Sequence, residues 1–213
     1  GSAFYQAVFA WVLIGLISAS SLRAQNTLND SNFFTARDLW FSDQASAIAT
    51  YGHIKDWNVT GVTNMSQAFK DITSFDENIT GWDVSNVTNM HQMFFRTAFN
   101  QPVVNWEISS VTNIKQMFAD TTAFDRDLSD WNVSSVTDMS YVFQNANALS
   151  NTNKGLIHKS FSSNSSWPYD WSEFVTYAPI TDANFQDAVN LWFSDEANAT
   201  ATYGHIRDWN VSA

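Results

Sequence analysis

The sequence predicts an α/β solenoid, a stack of short coils that each carry one parallel strand and one helical turn, closed at the ends by helices. Three observations predict it. Trp57-Asn58-Val59, Trp82-Asp83-Val84, Trp106-Glu107-Ile108 and Trp131-Asn132-Val133 recur at spacings of 25, 24 and 25 residues. A period in this range marks a unit that cannot bury its own apolar face and must stack on copies of itself. Between the tryptophans the same positions are apolar in nearly every copy. Finally, the run Leu39 to Thr60 returns as Leu191 to Ser212, 152 residues later, so a whole module starts again.

In chain order, residues 1–28 form an apolar N-terminal segment. Ala3 to Leu22 carries no charge, and the first charged residue is Arg23. About 20 apolar residues suffice to span a bilayer. Small residues such as Ser18, Ala19 and Ser20 after the apolar stretch favour a secretory signal. A retained anchor and an assembly segment packing on a neighbouring subunit are the alternatives.

Residues 29–52 read as a helical cap. Phe33, Ala36 and Trp40 share one face, Asp30 is a candidate N-cap, and a second helix over 43–51 is capped by Ser42 or Asp43 and closed by Gly52. Residues 53–149 hold four coils. Residues 150–180 are a terminal helix, Ser150 to Phe161, followed by a linker with a surface loop or hinge at Ser162 to Pro168. Residues 181–213 begin a second copy of the module, with Asp182, Phe185, Ala188 and Trp192 matching the first cap.

Within a coil, taking Trp as position zero, Val59, Val84, Ile108 and Val133 lie at plus two. Val62, Val87, Val111 and Val136 lie at plus five, Met65, Met90, Ile114 and Met139 at plus eight, and Phe69, Phe94, Phe118 and Phe143 at plus twelve. Alternation around Trp-x-Val predicts parallel strands over 78–84, 102–108 and 127–133, with partial ones near 54–59 and 206–211. The stretch Val-Thr-Asn-Met-x-x-Met-Phe has helical spacing, with Thr63, Thr88, Thr112 and Thr137 as N-cap candidates.

The pattern W-x-V-S-x-V-T-N-M-x-x-M-F, matched throughout by residues 82–94 (WDVSNVTNMHQMF), resembles the BspA-like leucine-rich-repeat surface proteins. The resemblance covers about 53–149 and again 205–213. It implies a right-handed leucine-rich-repeat-like coil stack, secreted or displayed on a cell surface, with roles in attachment or surface structure and no shared catalytic residues. The one-residue deletion in coil 82–105 and Pro102 depart from the family's spacing.

The chain has a formal net charge of −11 and no cysteine. Nucleic acid is excluded as a partner class, because phosphate binding needs a basic stripe. Disulfides and thiolate sites are excluded outright. Nine Asn-x-Ser/Thr sequons, at Asn29, Asn58, Asn64, Asn78, Asn86, Asn132, Asn164, Asn198 and Asn210, are the strongest chemical signal. Asn58, Asn132 and Asn210 directly follow a Trp, where strand alternation points outward.

No cofactor is expected, with Ca²⁺ the one open possibility at Asp76, Glu77, Asp125, Asp127 and Asp130. The four histidines lack metal-ligand spacing, and there is no HExxH, G-x-S-x-G or glycine-rich phosphate loop. His53 and His205 read as a structural corner, and His91 as exposed. The threonine column leaves ice binding as a minor alternative. The functional expectation is a non-enzymatic extracellular structural glycoprotein of tandem modules that self-associates into surface fibres or a coat and carries covalent glycans. The alternative is an adhesin for a host or matrix polymer.

Overall fold

The computed structural model describes residues 27–209 and residue 211. The chain opens with β1 (Thr27–Asn29), α1 (Phe33–Ser42) and α2 (Gln44–Tyr51), then a 3₁₀ turn at Ile54–Asp56 and β2 (Asn58–Gly61). β1 and β2 pair in parallel, Thr27 opposite Asn58 and Asn29 opposite Gly61. Phe33, Ala36 and Trp40 are the buried face of α1, as their spacing requires. The Asp43 carboxylate accepts the Ser46 N–H and starts α2, and Gly52 at φ 80° ends it, a conformation that Gly adopts without a Cβ clash. Trp40 meets the His53 ring at 4.8 Å and the Trp57 ring at 6.1 Å, edge to face, which locks the two helices to the first repeat.

Residues 57–149 fold as four superposed layers with one continuous core. Within each of the first three layers two phenylalanines stack face to face: Phe69 on Phe75 at 3.8 Å, Phe94 on Phe99 at 3.9 Å and Phe118 on Phe124 at 4.0 Å. Between layers, Phe69, Phe94, Phe118 and Phe143 follow one another at 5.9, 5.6 and 5.6 Å. The whole column is buried. Each buried phenylalanine of these columns contributes about 1.5–3 kcal/mol.

The α/β solenoid, with its right-handed leucine-rich-repeat-like stack of strands and helical turns, is not the architecture adopted. Among the described residues there is one small open sheet of two strands, and all five helices lie outside residues 57–149. The strands expected over 78–84, 102–108 and 127–133 are turns. Their N–H groups bond within the layer, Trp82 to the Ile79 carbonyl, Trp106 to Val103 and Trp131 to Leu128. The apolar–polar alternation there is a product of tight turns rather than of a pleat. Of the partial strands, 54–56 and 206–208 are 3₁₀ turns, and only Asn58–Gly61 is extended and paired.

The helical turn expected after each Val-Thr-Asn is absent as well. In its place are two successive turns with left-handed residues four apart: Gln67 and Asp71, Gln92 and Arg96, Gln116 and Asp120, Tyr141 and Asn145. A left-handed non-glycine residue costs roughly 1–2 kcal/mol. In the first three layers the compensation is a hydrogen bond to the next layer. Gln67 donates to the His91 carbonyl, Asp71 to Phe95, Gln92 to Lys115, Arg96 to Ala119, Gln116 to Ser140 and Asp120 to Gln144. Met65, Phe69, Met90, Phe94, Ile114 and Phe118 do the same from the alternate positions. Layers are joined here by isolated parallel bridges, Asn64–Asn89–Asn113–Asp138. Thr88, Thr112 and Thr137 cap no helix; their hydroxyls donate to the carbonyl of the preceding layer's threonine at 3.2 Å.

Both ends of the stack are closed by side chains that imitate a missing layer. Asp30 caps no helix; its carboxylate accepts the Thr63 N–H at 2.8 Å, the Thr63 hydroxyl at 2.6 Å and the Asn64 N–H at 3.1 Å. At the far end, α3 (Asn151–Phe161) is capped by Ser150 and buries Gly155, Ile157 and Phe161. Ser160 donates to the Ser129 carbonyl, Asn164 to those of Val133 and Val136, and Ser166 to that of Thr137. The loop 162–168 is thereby tied to the last layer.

A 3₁₀ turn, Ser172–Phe174, lies against α3 so closely that a Cβ on Gly155 would come within 2.1 Å of the Phe174 carbonyl oxygen. Then come α4 (Phe185–Ser194), α5 (Glu196–Tyr203) and a 3₁₀ turn at Ile206–Asp208, repeating the first cap. No helix among the described residues is long and apolar enough to cross a membrane. The bulk of the N-terminal apolar segment, residues 1–26, lies outside the described residues.

Candidate functional site

The chemistry-bearing positions of this chain are its asparagines, and the fold explains most of their pattern. At the position after each Trp, the side chain accepts the backbone N–H two residues on: Asn58 from Thr60, Asp83 from Ser85, Glu107 from Ser109 and Asn132 from Ser134. Seven residues past each Trp the motif recurs, with Asn64 accepting from Ser66, Asn89 from His91, Asn113 from Lys115 and Asp138 from Ser140. These are Asx turns (a Glu in one case), which favour Asn or Asp first and tolerate Ser or Thr third. Three of the sequons, at Asn58, Asn64 and Asn132, sit on these two columns. Asn78, a sequon four residues before Trp82, forms the same turn with Thr80, and Asp127 does so with Ser129.

The sequon asparagines differ in what their amide nitrogens do, and N-glycan attachment takes place at that nitrogen. Asn29, Asn58, Asn64, Asn78, Asn86, Asn132 and Asn198 are exposed. Asn86 donates its amide to the Thr60 carbonyl at 2.8 Å, and Asn58 makes a long contact of 3.5 Å to the Thr27 hydroxyl. Asn164 is half-buried, and its amide serves the Val133 and Val136 carbonyls at 2.7 and 3.0 Å. Asn198 lies in the first turn of α5. Asn210 is outside the described residues.

Asn29, Asn58, Asn64, Asn78 and Asn132 therefore combine exposure with an Oδ1 held by the residue two positions on; in Asn29, Asn58 and Asn78 it also takes that residue's hydroxyl, at 2.6, 2.7 and 2.7 Å. Asn164 is the least suited of the described sequons.

Of the acidic residues considered for calcium, Asp76, Asp125 and Asp127 are committed to the backbone. Asp76 accepts the Asn100 N–H, Asn100 in turn accepts that of Asp125, and Asp125 accepts that of Ser150, a ladder of side-chain staples down one edge. Asp125 also accepts the Asn153 amide at 2.6 Å. Burial pushes its carboxyl upward, but the Ser150 and Asn153 hydrogen bonds outweigh that and hold it below the usual range. The hydroxyl of Thr63 does the same for Asp30. Among the described residues no three His, Asp or Glu side chains come together as a metal site.

Each histidine has a structural partner. His53 Nδ1 accepts the Lys55 N–H and His205 Nδ1 that of Arg207, the corner expected of them. His158 Nδ1 accepts the Trp167 indole N–H at 3.0 Å. His91 is half-buried rather than exposed and faces the Ser66 hydroxyl at 3.5 Å. Burial, with the Lys115 and Lys70 charges, pushes its imidazole down.

A cleft of about 670 Å³ between the last layer and the α3 loop is lined by Ser129, Asp130, Asn132, Ser163 and Ser165, among others. The sequence reading missed Asp30 and Asn164 as end caps. The signal was present in both, a polar residue where a layer should follow, but cap and turn chemistry share one alphabet.

Residues 38–155 match the family model described as Mycoplasma protein of unknown function, DUF285. No curated protein matches the chain, and no solved structure does. The match spans the second half of the first cap, all four layers and the start of α3, more than half of the sequence, and so the chain belongs to the DUF285 family.

Proposed function

We propose that the chain is a non-enzymatic structural glycoprotein of tandem modules, placed outside the cell, that self-associates into surface fibres or a coat. The observation that carries this reading is the restart of the module after 152 residues, with the cap rebuilt in the same internal geometry. Trp192 meets His205 at 4.8 Å and Trp209 at 6.1 Å, the distances Trp40 makes to His53 and Trp57. A chain that repeats whole modules lengthens without adding chemistry, which suits a structural element. The likeness of residues 82–94 to BspA-like surface proteins supports a surface location, and the sequons support glycans.

The exposed column Asn58, Asp83, Glu107 and Asn132 supports a solvated face, since each side chain is occupied by its own turn. An adhesin would instead present aromatic side chains there.

Cryo-electron microscopy of native material from the source tests the proposal, combined with glycopeptide mass spectrometry. Filaments with a regular module repeat and glycan on Asn78 or Asn132 are expected. Dispersed monomers that bind a matrix polymer would replace the proposal with the adhesin, and sequons bare throughout would remove the glycoprotein part.

A further inference from the structure

The two caps are the same object in two environments. Their helices start on Asp43 and Asp195 with φ/ψ of −151/83° and −154/81°, and end on Gly52 and Gly204 with φ of 80° and 79°. In the first cap most of the apolar face is covered. Phe33 is fully buried and meets the Trp82 ring at 6.0 Å, Phe41, 42 % exposed, packs edge-on against Phe69 and Phe75 at 6.3 and 6.0 Å, and Val59 is 1 % exposed. In the second cap the matching Phe185, Phe193 and Val211 are 43, 81 and 61 % exposed.

A cleft of about 340 Å³ opens beside them, lined by Ile180, Thr181, Asp182, Phe185 and Val211. These occupy the positions of Leu28, Asn29, Asp30, Phe33 and Val59 in the first cap. There the corresponding space receives the chain after Val59. Gly61 approaches so closely that a Cβ would lie 2.8 Å from the Leu28 carbonyl oxygen, and the N–H groups of Thr63 and Asn64 reach Asp30.

We propose that residues 180–211 are a docking cap for a second repeat stack of the kind formed by residues 57–149, running on from Val211 and held as residues 28–59 hold the first. The occupant is identified by what the cleft offers. Apolar rings at Phe185 and Phe193 match a Phe–Phe–Trp layer, and the Asp182 carboxylate stands where Asp30 takes two backbone N–H groups.

The cap also has its own anchorage to the first module. The Ala178 N–H donates to the Thr202 carbonyl at 2.9 Å, the Tyr177 ring lies under Gly204, and the Lys159 ammonium sits over the Tyr177 ring at 5.3 Å. The face left over is therefore the one that a following stack would cover. This inference rests on the tandem-module part of the proposed function and not on fibres or glycans.

Hydrogen exchange compares the 213-residue chain with the same chain extended after Ala213 by a second copy of residues 62–171. In the unextended chain, residues 185–194 exchange at least about tenfold faster than residues 33–42, because uncovered helices open locally. In the extended chain the two segments exchange within about threefold of each other. Unchanged fast exchange at 185–194 while the added repeats are protected would overturn the inference, and so would added repeats that stay unprotected. An unextended chain that already protects 185–194, sediments as a dimer and dissociates on Phe193→Asp would assign the face to a second copy instead and overturn it as well. None of these outcomes depends on filaments or glycans, so the fibre reading stands or falls separately.

Discussion

Three layer tryptophans differ in one hydrogen bond, and that difference can be measured. Trp82 donates its indole N–H to the Ile54 carbonyl at 2.8 Å, and Trp131 donates to Val103 at 2.9 Å. Each acceptor lies three residues before the Trp of the preceding layer. Trp106 sits at the same depth, 3 % exposed, yet its indole N–H has no partner. Its layer junction is the one with the shortened spacing and Pro102.

Replacing Trp by Phe removes nearly the same ring volume at 106 and 131, so the packing loss cancels in a comparison. Trp131→Phe also loses a net hydrogen bond worth about 0.5–1.5 kcal/mol. The Val103 carbonyl keeps the Trp106 N–H, so no acceptor is stranded. Trp106→Phe instead removes an orphaned buried donor, a relief of about 1–3 kcal/mol. Trp131→Phe should therefore cost about 3 kcal/mol more than Trp106→Phe. At about 2–4 °C per kcal/mol for a chain of this size, the two melting temperatures should differ by about 6–12 °C. Urea unfolding followed by circular dichroism gives the same comparison. Equal losses, or a larger one at 106, would refute the assignment of the shortened junction as the defect in the indole ladder.

Other perturbations probe the core and the caps. Phe94→Ala removes a fully buried ring stacked on Phe69, Phe99 and Phe118 and should cost about 3–5 kcal/mol in the same unfolding experiment. Asn164→Ala strips one donor from two buried carbonyls and should cost about 1–3 kcal/mol, whereas Asn78→Ala, at an exposed turn, should cost less than half of that.

The pH dependence has two arms. The carboxyls of Asp30, Asp125 and Asp138 lie below their ordinary value of 3.8, so their contribution is complete above that pH and is lost as pH falls through the depressed folded values. His91 lies below its ordinary 6.5, so the fold prefers it neutral, and stability declines as pH falls from 6.5 toward the folded value. His91→Gln should flatten the melting temperature between pH 5 and 7 and leave the acid arm in place; an unchanged profile would count against His91 as its source.

Much of the core was legible because stacking forces one residue type into each column. Met65, Met90, Ile114 and Met139, and the four phenylalanines above them, are buried as their recurrence demands. The helices of both caps were legible from the spacing of Phe33, Ala36 and Trp40 and from Asp43 and Gly52. The backbone between the columns was not. A period of two is the signature of a strand only if successive N–H groups leave the segment, and at Trp-x-Val they close turns on their own layer. The helical spacing of Val-Thr-Asn-Met-x-x-Met-Phe was equally misleading. Two turns with left-handed residues four apart bring apolar residues to one side much as a helix does. Gln67, Asp71, Gln92 and Arg96 carry no glycine to announce the left-handed backbone, because inter-layer hydrogen bonds rather than intrinsic preference hold them there.

The same ambiguity governs the asparagines. Asn-x-Ser/Thr spells both a glycan acceptor and an Asx turn, and in this fold the turn recurs wherever the repeat does. At the position after Trp the repeat accepts Asn, Asp or Glu, all of which take the N–H two residues on, and at the position seven past Trp it accepts Asn or Asp. An excess of sequons thus has a structural cause wherever Asp could replace Asn without loss. Asn86 and Asn164 fail that substitution, since each uses its amide as a donor to a carbonyl that a carboxylate would repel. These are the asparagines the fold itself requires. Asn29, Asn58, Asn64, Asn78 and Asn132 are the ones where Asn rather than Asp needs another reason. Glycan on these five and none at Asn164 would supply it, whereas occupancy indifferent to that division would leave turn chemistry as the whole explanation.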